Sequence, residues 1–155
     1  MEFITVEQFK EQPKEVQEVF LDWYNFDKYD LFYLKWEGAE KKWGATEEIV
    51  SGATLNRHLK HLKRANSNII NTIPLFTEGQ LRRFIEDKES CLLDIKVEDL
   101  HDNYNDYTVI GWEINRFEYG IEFGRILFED CIKAKDLLQL YWKVACMIAK
   151  EGLNG

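Results

Sequence analysis

The chain has 155 residues, with 28 Asp and Glu against 20 Lys and Arg and a formal net charge of -8. Apolar residues at 45% and aromatics at 14% exclude a globally disordered chain, and a mean hydropathy of -0.42 argues against a membrane protein. The acidic balance disfavours non-specific coating of duplex DNA, because that affinity comes mainly from Lys and Arg neutralising phosphates.

Taken in chain order, Thr5-Val6-Glu7-Gln8 is a capping box, and Ile4 with Phe9 has the spacing of a hydrophobic staple. Pro13 ends that turn and opens the next helix, where its missing N–H costs little. From Lys14 to Tyr24, Val16, Val19, Phe20 and Trp23 recur at i, i+3, i+4 and i+7, with Glu15, Glu18 and Asp22 outside the stripe. Asn25 to Asp30 is polar and turn-like. Leu31 to Trp36 is short, apolar and aromatic, and reads as a strand or as continued helical core. Gly38 to Gly52 reads as loop with a helical turn near Thr46–Val50. Helical period returns over Thr54–Ala65, where Leu55, Leu59 and Leu62 share one face. Asn66 to Asn71 is a polar connection, and Pro74 marks a boundary.

Beyond it, Thr77-Glu78-Gly79-Gln80 is a second capping box, and Leu81, Phe84 and Ile85 give the following helix its apolar face. Leu93, Ile95 and Val97 alternate with Asp94 and Lys96, as in a half-buried strand. Tyr107–Ile114 and Tyr119–Phe128 read as two more strands around a turn at 115–118. Asp136 caps a last helix whose face is Leu137, Tyr141, Val144 and Ile148, with Gly152 as its stop. The predicted class is therefore α+β. Residues 1–71 form a mainly helical N-terminal part with one candidate strand, packed on the rest. Residues 72–155 form a helix, a three-strand antiparallel sheet and a helix.

The N-terminus has no basic segment followed by an apolar run, and no stretch of 18 apolar residues occurs, so neither a secretion signal nor a membrane span is predicted. Cys91, Cys131 and Cys146 are odd in number and widely spaced, which fits a reducing cytoplasm and a packing role for each thiol.

The charge is unevenly distributed. Residues 1–50 sum to -6, residues 77–155 to -6, and residues 51–76 hold four Lys and Arg with no acid, giving +4. On a helix, Arg57, Lys60, His61, Lys63 and Arg64 fan across the exposed side, a face suited to a phosphate backbone or an acidic partner surface. The plain alternative is a solvated face balancing an acidic neighbour. His58 and His61 are three apart but lack the further ligands that zinc requires, so no metal or other cofactor is expected. Glu98, Asp99, Asp102 and Asp106, with Tyr104 among them, make an acidic segment without calcium-loop register, readable as a surface presented to a basic groove or as an exposed hairpin loop. Trp36 and Trp43 are the expected exposed tryptophans. No nucleophile elbow and no phosphate-binding GxGxxG motif is present, and no catalytic residue is assigned.

ITVEQFKEQPKEVQEVFLDWY, IPLFTEGQLRRFIEDK and DLLQLYWKVACMIAKE resemble a group of short proteins encoded by phages and prophages of Clostridium and related Firmicutes. The second and third blocks also resemble the phage domain described as an α-β-α sandwich. The resemblance covers the beginning of the chain and the two helices flanking the C-terminal unit, and fades over about 27–71 and 91–130. It implies a phage origin, the host cytoplasm and a non-housekeeping role. The leading expectation is a non-enzymatic accessory protein that binds and inhibits a host protein, such as a CRISPR–Cas-like defence component, its acidic faces steering it to basic grooves. The alternative is a nucleic-acid- or nucleotide-binding regulator that uses residues 54–65. An enzyme built on acidic residues and a divalent cation is the third reading.

Overall fold

Residues 2–40, 44–89, 92–98, 108–118, 121–125, 132–134 and 136–154 are described by the computed structural model. They are α+β and divide into two units, Thr5–Phe76 and a second made of Met1–Ile4 with Thr77–Gly155.

In the first unit, Thr5 and Gln8 form the expected reciprocal box, each backbone N–H donating to the other's side chain at 3.2 Å, and this opens α1 (Val6–Lys10). Pro13 caps α2 (Lys14–Trp23). The Gln17 amide fixes the corner between the two helices by donating to the carbonyls of Lys10 at 3.3 Å and Gln12 at 2.7 Å. The apolar stripe of α2 buries Val16 and Phe20. Phe20 joins Phe9, Tyr24 and Phe76 in an aromatic cluster with ring centroids 5.5–6.4 Å apart, the separations at which edge and offset packing add to simple burial.

Three antiparallel strands follow: β1 (Leu31–Glu37), β2 (Ala45–Ser51) and β3 (Asn68–Pro74), in the order β2-β1-β3. Helix α3 (Gly52–Arg64) connects the two edge strands. Leu55 and Leu62 on α3 pack with Phe32 and Leu34 of β1 and Val50 of β2, and Tyr24, Trp36, Leu59 and Ile69 close around them. Between Lys35 and Trp36 the register shifts, from Lys35↔Asn71 to Trp36↔Ile69, which leaves Ile70 as the extra residue of a bulge.

Residues 45–51 form a strand instead of a loop with a helical turn. Only Val50 is buried there, and the strand is held by polar pairings such as Lys35 to Glu47 at 2.9 Å, so it carries no apolar alternation to detect. Residues 68–74 form β3 instead of a connection, again an edge strand with polar Asn68 and Asn71. Asn71 and Thr72, between which a boundary was expected, pair with Lys35 and Leu34 inside one sheet. The units part after Phe76.

The second unit contains α4 (Glu78–Glu89), β4 (Leu92–Glu98), β5 (Thr108–Glu118), β6 (Ile121–Arg125), β7 (Ile132–Ala134) and α5 (Leu137–Asn154). Phe3 forms an isolated bridge with Thr77 at its entrance. The second capping box is present, with the Thr77 N–H donating to Gln80 at 2.9 Å and the Gln80 N–H to Thr77 Oγ1 at 3.4 Å. Strand β5 is central. Residues 109–115 pair with β4, residues 114–118 with β6 and residues 108–110 with β7, so β6 and β7 share the edge of β5 opposite β4. The expected helix–sheet–helix order is found, with a fourth strand too short to show a period. Strand β5 continues through the expected turn at 115–118, and Glu118 pairs with Ile121. Helix α5 also runs past Gly152 to Asn154, since an interior Gly costs a helix only about 1 kcal/mol. Asp136 caps it, accepting from the Gln139 N–H at 2.8 Å. Helices α4 and α5 pack together, α4 burying Leu81, Phe84 and Ile85.

Candidate functional site

Helix α3 buries a narrow stripe. Gly52, Leu55 and Leu62 are buried and Leu59 is half-buried, so the opposite side is free of packing constraints. Arg57, Lys60, His61 and Arg64 recur there at i, i+3, i+4 and i+7, with Lys63 beside the row, and all five are exposed. Among the described residues none of the five joins an ion pair, although acidic side chains are plentiful in the same unit.

Both helix ends are satisfied from within the unit. Ser51 caps the start, accepting from the Thr54 N–H at 3.3 Å, while the Gly52 and Ala53 N–H groups donate to the carbonyls of Asp30 at 2.9 Å and Lys28 at 3.0 Å. At the far end Asn66 adopts φ 54 in a Schellman motif. Its own N–H reaches Lys63 O at 3.2 Å, and the Ser67 N–H reaches Leu62 O at 2.9 Å. Three basic or imidazole side chains, His61, Lys63 and Arg64, sit in the last turn, the negative end of the helix dipole. That placement stabilises the helix and concentrates positive charge in one region.

His58 and His61 do not act together. His58 is half-buried between β1 and β2, its ring 6.1 Å from that of Trp36 and its Nδ1 3.7 Å from Glu48 Oε2, too long for a hydrogen bond. His61 is exposed. Trp36, expected to be exposed, is half-buried and donates its Nε1–H to Glu48 at 3.3 Å. Trp43 lies outside the described residues. Among the described residues no group of three or more His, Cys, Asp and Glu is placed to hold a metal ion, and no helix is long and apolar enough to cross a membrane.

The acidic segment is placed only at its edge. Glu98 ends β4 opposite Val109, and Asp99, Asp102, Tyr104 and Asp106 lie outside the described residues. On the far face of the first sheet, Glu47 is held below the usual carboxylate range by its bonds to Lys35 and Tyr33, and Lys35 is raised by the same contact. These groups are occupied with one another. Cys146 is buried in α5, and burial pushes its thiol up to about 12, so at neutral pH it stays a protonated packing residue.

Sequence reasoning missed the aromatic side chains in the turn-like segment 25–30. Tyr29 is 77% exposed, the highest value among the exposed large apolar side chains described, and Phe26 is 50% exposed. The available signal was two aromatics inside an otherwise polar turn, where packing does not require them. Comparisons with family models, curated proteins and solved structures return no match.

Proposed function

We propose that this protein works by binding and not by turnover, and that its contact surface is the basic face of α3, offered to an anionic partner. One observation carries the reading: Arg57, Lys60, His61, Lys63 and Arg64 are exposed opposite the buried stripe and, among the described residues, pair with no carboxylate. A face that merely solvated the helix amid so many acids would be expected to carry compensating ion pairs. The sequence resemblance to phage and prophage proteins supports an accessory regulatory role in the host cytoplasm.

Retention on immobilised heparin tests this. The unmutated chain should bind at low salt and elute as salt rises. Lys60→Glu with Arg64→Glu should pass straight through while keeping its circular dichroism spectrum, because both sites are exposed. Flow-through of the unmutated chain at low salt would reject the reading.

A second reading is favoured by the two acidic blocks of -6 on either side of the basic segment. In it the chain inhibits a nucleic-acid-handling host defence effector through residues 98–106. Neutralising Asp99, Asp102 and Asp106 would then weaken capture of the effector and leave heparin retention unchanged.

A further inference from the structure

We infer that the basic face of α3 and the loop at its N-terminal end form one track for single-stranded nucleic acid, with Tyr29 as a platform on which a base stacks. This rests on the anionic-partner reading above and names the partner's class.

The loop and the cationic row are physically continuous. Residues Asp27–Asp30 lie on the start of α3 through the two backbone bonds to Gly52 and Ala53. Gly52 is what permits the approach, since a Cβ there would collide with the Asp27 carbonyl and stand 2.9 Å from Lys28 Cα. Ala53, Arg57, Lys60 and Arg64 follow at i, i+4, i+7 and i+11, so the first cation stands one turn beyond the loop contact and the row extends along that helix face for about 10 Å.

The loop presents an open ring on a fixed base. The Tyr29 N–H donates to Asp27 Oδ1 at 2.8 Å, and Tyr24 donates its hydroxyl to Asp30 Oδ2 at 2.7 Å. Both loop carboxylates are thereby engaged within the protein. Lys28 Nζ lies 4.9 Å from the centre of the Tyr29 ring, which adds a cation beside the platform. Phe26 is anchored differently, its ring stacked on buried Phe32 at 5.6 Å.

The ligand class follows from using both features at once. A duplex hides the faces of its bases, and four Lys and Arg on a chain of net charge -8 are few for coating it. An acidic peptide would use the cations and leave the ring idle. A single strand supplies phosphates for the row and an unstacked base for Tyr29.

The test is fluorescence anisotropy of a fluorescein-labelled oligothymidylate of about 12 nucleotides, titrated with the full chain at low salt. A duplex of the same length and a labelled polyglutamate are titrated in parallel. The expected result is binding of the single strand with a log–log salt slope of roughly -2 to -3, as three or four phosphate contacts give. Tyr29→Ala should weaken that binding roughly ten-fold, and Tyr29→Phe should leave it intact, because stacking needs the ring and not the hydroxyl. Single-strand affinity unchanged in Tyr29→Ala, but lost in Lys60→Glu with Arg64→Glu, would overturn the stacking platform and leave the anionic-partner reading standing. Preference for the duplex or for polyglutamate would also overturn it. No binding of any of the three probes would remove both.

Discussion

Helices α3 and α5 solve the same problem with opposite margins. Helix α5 buries nine of its 18 residues, from Leu138 to Ala149, on more than one face. Helix α3 buries three of 13, in one stripe against its sheet. A helix surrounded on most sides has its residue types chosen by packing, and little of its surface is left for another task. A helix that needs only a narrow stripe leaves the remaining positions unconstrained by the fold. An unusual composition on that free side, such as cations without acids in a chain of net charge -8, therefore requires an explanation other than folding. This contrast, more than the charge itself, singles out α3.

The largest effect should come from breaking the packed helix. Leu140 is fully buried, and Leu140→Ala should cost about 2–5 kcal/mol through lost apolar transfer and a residual cavity. Urea unfolding should show the loss, with amide exchange accelerated in α4 and α5. Heparin retention should survive in conditions where the variant stays folded. A smaller effect belongs to the other helix. Gly52→Ala gains up to about 1 kcal/mol of helix propensity, but its Cβ meets the backbone of Asp27 and Lys28. Such overpacking costs about 1–3 kcal/mol, so the net change should be destabilising. The same displacement should reduce single-strand affinity by shifting Tyr29. A more stable Ala variant with unchanged affinity would break the link between the loop and the row.

The same contrast explains what could be read from the sequence. Elements with a wide or regular apolar period were legible: α2 through Val16 and Phe20, α5 through its broad face, and both Thr-x-x-Gln boxes. Strands β2 and β3 were not. They are edge strands whose neighbours are β1 on one side only, and their pairing runs through Lys35–Glu47, Trp36–Glu48 and Asn71 instead of apolar alternation. Long-range pairing of that sort leaves no local period. The basic row on α3 was legible because its spacing is helical and its residues are contiguous. The loop that completes the track was not. Nothing in Asn25–Asp30 shows that its carbonyls will cap a helix more than 20 residues later, and only that closure brings Tyr29 to the head of the row.

The third stability effect concerns the hydroxyl that holds this loop. Tyr24 donates to Asp30 at 2.7 Å, and the Asp30 carbonyl in turn accepts from Gly52. Tyr24→Phe keeps the ring against Phe32 and Phe76 and removes that bond together with the longer one the hydroxyl accepts from the Asp27 N–H at 3.4 Å, so it should cost about 1 kcal/mol at neutral pH. The pH dependence sets this apart from general loosening. Burial first, and the bond to Asp30 second, raise the phenol well above its ordinary value. Below about pH 10 both folded and unfolded chains keep the proton, and the contribution is fully present. Above it the unfolded chain releases the proton while the folded chain holds it, so stability falls as pH rises toward the folded value. Urea midpoints of the unmutated chain should therefore drop on the alkaline side, with part of the drop absent in Tyr24→Phe. Cys146, Tyr33 and Tyr141, each raised mainly by burial, add to the drop in both chains. Parallel alkaline curves for the two chains would mean that the hydroxyl does not brace the loop, and the platform at Tyr29 would lose one of its supports.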